Sequence, residues 1–92
     1  MSRILVADDD RITRHVLRQV LTSAGFTVTV AKDGVDALKV LRHRRFDLLL
    51  LDVWMPRMNG LDLLERLRTR KSRPRVIVMT SDEAPGTLLE AV

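Results

Sequence analysis

The 92-residue sequence contains no cysteine, no tyrosine, one tryptophan and two phenylalanines. Without cysteine the chain can form neither a disulfide bond nor a thiolate metal site, and a reducing compartment such as the cytoplasm is expected. No apolar run approaches the ~20 residues that a membrane-crossing helix needs, so no membrane span is expected. The acidic residues close to the start, in MSRILVADDD, argue against a secretory signal.

Charge is distributed unevenly along the chain. The formal net charge is +4, and many basic residues fall in two runs, Arg42–Arg45 and Arg68–Lys71. We interpret both runs as solvated helix ends rather than as a nucleic-acid patch, because they lie between the elements predicted below. With 46% hydrophobic and 30% charged residues, the sequence is typical of one small folded domain over residues 1–92.

Four short apolar runs predict β-strands. They are Arg3–Ala7, Thr27–Ala31, Asp47–Leu51 and Arg75–Met79. The first and last runs are rich in β-branched residues, and the third is continuously apolar, as expected of a strand that is covered on both faces. Segments of helical period separate the runs. This alternation predicts an α/β domain with a parallel sheet and helices on both faces.

About four helices are predicted between and after these strands. Their apolar stripes consist of Ile12, Val16, Val20 and Ala24; of Val35, Leu38 and Leu41; of Leu61, Leu64 and Leu67; and of Leu88, Leu89 and Val92. Asp10 and Asp33 are the expected N-caps of the first two helices, and Gly25 is the expected C-terminal glycine of the first. The fourth helix would occupy Thr87–Val92.

Oxygen-bearing side chains follow three of the four predicted strands. Asp8 and Asp9 come after the first strand, Asp52 after the third and Thr80 after the fourth. In an open parallel sheet, ligands bind beyond the carboxyl ends of the strands, so these residues are expected to meet at one edge. Carboxylates that meet there repel each other unless a proton or a cation lies between them. A hard divalent ion, most simply Mg²⁺, would let Asp52 act as a nucleophile toward a phosphoryl group.

Three stretches of the sequence carry a resemblance to a known family. They are Ile4–Asp10 (ILVADDD), Leu50–Gly60 (LLDVWMPRMNG) and Val76–Ser81 (VIVMTS). In order and spacing they resemble the receiver domains of two-component response regulators, and the resemblance extends over essentially all 92 residues. It implies a flavodoxin-like three-layer sandwich with a parallel sheet.

The resemblance implies a role for each residue of the predicted site. Asp52 corresponds to the phosphoacceptor, Asp9 to a direct Mg²⁺ ligand and Asp8 to a ligand that acts largely through a metal-bound water. The backbone carbonyl of Trp54 would supply a further ligand, and the Thr80 hydroxyl would approach the phosphoryl group. The implied function is a phosphorylation switch that receives its phosphoryl group from a sensor histidine kinase or a phosphotransfer protein. Such a domain is an acceptor with autocatalytic character rather than an enzyme.

The last two elements of the family have no counterpart in this sequence. Receiver domains carry a fifth strand that ends in a lysine and a fifth helix, and we expect the domain to lack both, leaving four strands. The fourth strand would then be an exposed apolar edge. We therefore expect a homo-oligomer that pairs through this strand or exchanges segments. Nucleic acid would be bound only through an output domain outside this sequence.

Two other functions remain open. The missing lysine would suit an interaction or dimerisation module that is not phosphorylated. A phosphatase of the haloacid-dehalogenase type also uses an aspartate nucleophile at a strand end, but it needs an acid two residues later as proton donor. Trp54 stands at that position, which counts against a phosphatase.

Overall fold

A computed structural model of the chain describes residues 2–55, 57–70, 73–79 and 88–91. The elements in chain order are β1 (Arg3–Ala7), α1 (Arg11–Ser23), β2 (Thr27–Ala31), α2 (Gly34–His43), β3 (Leu48–Asp52), α3 (Gly60–Leu67), β4 (Arg75–Met79) and β5 (Leu88–Ala91). They form one sheet in the order β2-β1-β3-β4-β5, in which β1 to β4 are parallel. The predicted flavodoxin-like α/β fold with four parallel strands is confirmed, but the expectation of only four strands is wrong, because β5 adds a fifth, antiparallel strand.

The central strands owe their position to unbroken apolar sequence. Leu49, Leu50 and Leu51 of β3 are all buried, because helices cover both faces of the sheet at this strand. Successive side chains point to opposite faces, so Leu49 and Leu51 join the core beneath α2 and α3, whereas Leu50 joins a second core beneath α1. A charged residue on either face of β3 would therefore lie inside a core.

The predicted helix ends are confirmed. Asp10 and Asp33 accept hydrogen bonds from the amides of Thr13 and Asp36, at 3.2 Å and 2.8 Å, and so cap α1 and α2. Gly25 follows α1 with a φ of 98°, a left-handed conformation that glycine adopts without steric cost. No helix in the described ranges is long and apolar enough to span a membrane.

The apolar stripe predicted for α1 does not face the sheet. Ile12, Val16 and Val20 are exposed by 72%, 49% and 60%. Leu17 and Leu21 instead pack on the core that lies beneath α1. Their spacing of four residues also defines a helical face, and it is this face that packs on the sheet. The sequence of α1 therefore contains two apolar faces, and the one with fewer residues, Leu17 and Leu21, packs on the sheet.

The predicted helix over Thr87–Val92 is wrong for the residues that the structure describes. Leu88–Ala91 forms β5, which pairs antiparallel with β4 in the register Val78 to Leu89. So short a segment gains little from helix formation, whereas the unpaired edge of β4 offers backbone hydrogen bonds at once. The open edge expected at β4 is thereby also wrong, and pairing of two chains through it loses its basis. Segment exchange stays a prediction.

Candidate functional site

The register of the sheet brings the predicted acidic residues together. Strands β1 and β3 are adjacent and parallel, and Ala7 pairs with Leu51. The residues that follow, Asp8 and Asp52, therefore lie side by side at the carboxyl edge of the sheet. One carboxylate oxygen from each of Asp8, Asp9 and Asp52 lies within 4.8 Å of the other two. The expected meeting of acids from two strand ends is confirmed.

Two of these three carboxyl groups are buried. Asp8 and Asp52 are only 7% and 4% exposed, whereas Asp9 faces solvent. The amide of Asp10 donates to Oδ1 of Asp8 at 2.8 Å, and the amide of Trp54 donates to Oδ1 of Asp52 at 3.1 Å. Local backbone turns thus orient each buried carboxylate and leave its other oxygen for a further partner.

Burial and neighbouring charge oppose ionisation of this cluster. Burial raises the pKa of Asp52 to about 7, with the acids Asp8 and Asp9 acting in the same direction and the amide of Trp54 against it. Burial also raises the pKa of Asp8, against the hydrogen bond from the amide of Asp10. Full ionisation of the cluster near neutral pH therefore calls for a cation between the carboxylates.

The donor set fits a hard divalent cation. Three carboxylate oxygens from three residues converge, and the exposure of Asp9 leaves one side open to solvent. Mg²⁺ prefers oxygen ligands and retains several of its waters, so a partly open site of this kind suits it. The Trp54 side chain is 62% exposed and stands outside the cluster, so only its backbone could take part.

The other oxygen-bearing residues at this edge have different positions. Asp10 accepts hydrogen bonds from the Thr13 hydroxyl at 2.5 Å and from the Thr13 amide, and these bonds hold the pKa of Asp10 below its ordinary value. Its side chain is therefore committed to the helix cap. Thr80 lies outside the described residues. The preceding residue, Met79, ends β4 and pairs with Asp52 in the sheet.

One contact beside the site was not foreseen. Nε and Nη2 of Arg57 donate to Oδ2 of Asp33 at 2.8 Å and 2.5 Å, and Asp33 is only 3% exposed. Burial alone would raise the pKa of Asp33, but the Asp36 amide and the Arg57 guanidinium outweigh it and hold that pKa below its ordinary value. The two residues are 24 positions apart, and no local sequence pattern reports such a pair.

A backbone contact accompanies this ion pair. The amide of Gly34 donates to the carbonyl oxygen of Met58 at 3.0 Å, and a Cβ at position 34 would collide with that oxygen. Arg57 itself has a φ of 66°, an uncommon conformation for a residue with a side chain. The segment that follows Asp52 is therefore tied to the start of α2 by an ion pair and a close backbone approach.

Comparison with known sequences agrees with this geometry. Residues 4–92 match the family model described as the response regulator receiver domain. The response regulator MprA of Mycobacterium ulcerans (strain Agy99) is 44% identical over 82 residues, which are 89% of this chain and 35% of that relative. MprA of Mycobacterium avium (strain 104) is 43% identical over 82 residues, or 36% of its length. The chain thus spans about a third of the length of these relatives.

Solved structures give the same result. The response regulator TrrA from Thermotoga maritima, in complex with Mg²⁺-BeF, has a TM-score of 0.83 and 34% identity, covering 90% of this chain and 72% of that one. The chemotaxis protein CheY4 of Vibrio cholerae has a TM-score of 0.85 and 30% identity, with coverages of 92% and 72%. The family match over nearly the whole sequence, its relatives and the shared fold together show that this chain belongs to the response regulator receiver domain family.

Proposed function

We propose that Asp52 accepts a phosphoryl group in a Mg²⁺-dependent reaction and that the phosphorylated domain acts as a switch in a two-component phosphorelay. The observation that carries the proposal is the cluster of Asp8, Asp9 and Asp52, whose oxygens lie within 4.8 Å of one another. A carboxylate held beside a cation can attack phosphorus, because the cation offsets the negative charge of both partners.

The donor in the proposed reaction is a phosphohistidine of a sensor kinase or a phosphotransfer protein. A carboxylate oxygen of Asp52 bonds to phosphorus while the phosphorus–nitrogen bond breaks. The electron pair of that bond stays on the imidazole nitrogen, which then takes a proton from solvent. Only the ionised form of Asp52 can attack, so its raised pKa makes the reaction depend on whatever stabilises the carboxylate.

Four groups of this chain are proposed to hold the ion. Asp9 and Asp52 would bind Mg²⁺ directly, Asp8 would act mainly through a bound water, and the carbonyl of Trp54 would complete the protein ligands. When bound, the ion supplies positive charge to the carboxylates and to the transferring phosphoryl group. The convergence of three carboxylates and the Mg²⁺-BeF complex of TrrA support this assignment.

Thr80 is proposed to hydrogen-bond an oxygen of the bound phosphoryl group. Its support is the sheet register, because β4 lies next to β3 and Met79 pairs with Asp52. A hydroxyl drawn toward Asp52 would couple the chemistry at the site to the surface of the domain. That coupling is what a switch requires.

The setting of the domain is also a proposal. We place the reaction in the cytoplasm, with the kinase or phosphotransfer protein as partner. The MprA relatives are almost three times as long as the matched region, so an output domain in a longer protein would carry the response. Contact with nucleic acid would take place only through that domain.

Intact-mass measurement tests the proposal. The protein is incubated with Mg²⁺ and acetyl phosphate, a small phosphodonor, and we expect a gain of one phosphoryl group. Asp52→Asn should show no gain, because an amide cannot form the acyl phosphate. Asp62→Asn is the matched control, since Asp62 is exposed on α3, and it should be phosphorylated like the wild type.

The same measurement without the metal is the second part of the test. With EDTA in place of Mg²⁺, the adduct on the wild-type protein should disappear. A phosphorylated Asp52→Asn variant would show that the acceptor is another residue. No adduct on any variant under any condition would favour the alternative, an interaction module that is not phosphorylated.

A further inference from the structure

The first basic run, Arg42–Arg45, meets Arg70 of the second run and Arg73 in one cavity at the end of the sheet opposite the acidic cluster. The cavity has a volume of about 410 Å³ and lies between the C-terminus of α2 and the segment that leads into β4. Its apolar lining residues are Leu41, Phe46 and Pro74. Its titratable lining residues are Arg42, His43, Arg44, Arg45, Arg70 and Arg73.

Hydrogen bonds to backbone carbonyls hold the walls of this cavity. Nη2 of Arg70 donates to the carbonyl oxygen of Leu41 at 3.0 Å, which joins the segment after α3 to the end of α2. Nη1 of Arg73 donates to the carbonyl oxygen of Arg68 at 2.9 Å. Each of these guanidinium groups has five N–H donors, so most of its donors remain available.

Of the residues that the structure describes, no acidic one lines the cavity, so its positive charge is not neutralised by them. In the part of the chain that the structure describes, the two side-chain ion pairs join Arg57 to Asp33 and Arg68 to Glu65. Arg42, Arg44 and Arg45 belong to neither pair. Three cationic side chains therefore face one concave surface without a carboxylate partner.

The helix dipole explains only part of this arrangement. Arg42 and His43 lie in the last turn of α2, where cations are favoured by the partial negative charge of the helix end. Arg44 and Arg45 come after the helix, and Arg70 and Arg73 come from a different part of the chain. Convergence of like charges costs free energy, which a bound anion would recover.

We propose that this cavity binds a small anion that carries several phosphate groups. Guanidinium groups match phosphate oxygens with two parallel hydrogen bonds, and the five guanidinium groups of the lining exceed what a single carboxylate could use. The volume is that of a small-ligand site rather than of an extended polymer surface. Among the described lining residues, Phe46 is buried and offers no ring to a base, and His43 carries an exposed ring. We assign recognition to the phosphate groups alone.

This site is separate from the one proposed for phosphorylation. It lies at the amino ends of β3 and β4, whereas Asp52 ends β3 at the other edge. Occupancy of the cavity should therefore require neither Mg²⁺ nor Asp52. Recognition of phosphates alone also implies that inorganic triphosphate and nucleoside triphosphates bind with similar affinity.

Isothermal titration calorimetry with inorganic triphosphate tests the inference. EDTA is present at physiological salt, so that no magnesium complex can bind at the acidic cluster. We expect binding to the wild-type protein and a loss of at least about tenfold in affinity for Arg44→Gln/Arg45→Gln, as expected when two charge-assisted contacts are removed. ATP should bind the wild type within about threefold of inorganic triphosphate if no base is recognised.

A matched double variant separates a site from general attraction. Arg11→Gln/Arg18→Gln removes the same charge from exposed positions on α1, which covers the other face of the sheet, and should bind like the wild type. Equal losses in both double variants, or no binding to the wild type, would overturn the proposal. Tighter binding of a short DNA duplex than of triphosphate would also overturn it, in favour of a nucleic-acid surface. Unchanged urea midpoints and retained phosphorylation at Asp52 would show that the variants are folded.

Discussion

The two ends of the sheet carry charges of opposite sign, and the charged groups are buried at one end and exposed at the other. At the carboxyl end, Asp8 and Asp52 are buried, and burial raises the pKa of both. At the amino end, Arg42, Arg44 and Arg45 are exposed, and water solvates each guanidinium. A buried charge depends strongly on its neighbours, whereas an exposed one depends on them much less. Substitutions at the carboxyl end should therefore change stability, and those at the amino end should change only what binds there.

The largest expected effect is a steric one at the carboxyl end. Gly60 is buried at the start of α3, and a Cβ there would lie 2.5 Å from the carbonyl oxygen of Asp52. Because the obstacle is backbone, Gly60→Ala should displace the segment after β3 and destabilise the protein by about 2–3 kcal/mol. Urea unfolding measures the change. Leu61→Ala, at an exposed neighbouring position, should stay within about 0.5 kcal/mol of the wild type, and equal midpoints for the two variants would contradict the prediction.

The next effect concerns the buried carboxyl of Asp52. Below its ordinary pKa of 3.8 the group is neutral in both folded and unfolded chains and contributes nothing. Between pH 3.8 and about 7 the unfolded chain releases the proton first, so ionisation progressively favours unfolding. The full shift would correspond to about 4 kcal/mol, and solvent that reaches the cluster beside the exposed Asp9 screens part of it. Without metal, Asp52→Asn should therefore be more stable than the wild type by roughly 2 kcal/mol at pH 8, and the gain should vanish below pH 4.

A control at the other end of the same strand sharpens this result. Asp47 precedes β3, is exposed, and accepts a hydrogen bond from the amide of Arg3 at 2.7 Å. Asp47→Asn keeps that acceptor and is the matched control, whose free energy of unfolding is measured beside that of Asp52→Asn at each pH. Saturating Mg²⁺ should stabilise the wild type more than Asp52→Asn, by about 2.7 kcal/mol at a hundredfold excess over the dissociation constant if the variant does not bind the ion. If the stability gain of Asp52→Asn without metal did not change with pH, burial of the ionised carboxylate would not be its cause.

The smallest of the three effects is the loss of one arginine side chain, which we compare at the carboxyl end and at the amino end of the sheet. Arg57→Ala removes the partner of the buried Asp33 and should cost about 1–2 kcal/mol at pH 7. Because the pKa of Asp33 is held below its ordinary value, this cost should shrink as the pH falls below 3.8. Arg44→Ala removes an exposed guanidinium and should change stability by less than about 0.5 kcal/mol.

A third variant separates the ion pair from the backbone. Arg57 has a φ of 66°, which glycine adopts freely and alanine does not. Arg57→Gly should therefore be less destabilising than Arg57→Ala, although both lose the pair. Urea midpoints measure all three variants. If Arg44→Ala were as costly as Arg57→Ala, burial of the carboxylate partner would not be the cause.

Local patterns predicted most of this molecule. Three strands were predicted with the bounds that the structure has, and the third was placed one residue early. Short apolar runs bounded by polar residues mark strands without reference to distant residues. The caps Asp10 and Asp33 were predicted because an N-cap is a contact within four residues. The convergence of Asp8, Asp9 and Asp52 followed from parallel strand order.

The errors share one physical origin. The exposed stripe of α1, the strand at Leu88–Ala91 and the Arg57–Asp33 pair each depend on a partner that is distant in sequence. Hydrophobic period reports that a helix has an apolar face but cannot choose between two such faces. A short apolar segment takes the structure of whatever edge lies beside it.

The amino-acid sequence by itself determined the order of the first four strands and three helices, the caps and the acids that meet at the carboxyl edge, because these depend on neighbours along the chain and on parallel strand order. Only the tertiary structure decided that Asp52 is buried with a raised pKa, and that basic residues some 25 positions apart line one cavity. Burial and proximity are properties of packed surfaces. They come into being when distant segments touch, and no local pattern encodes them.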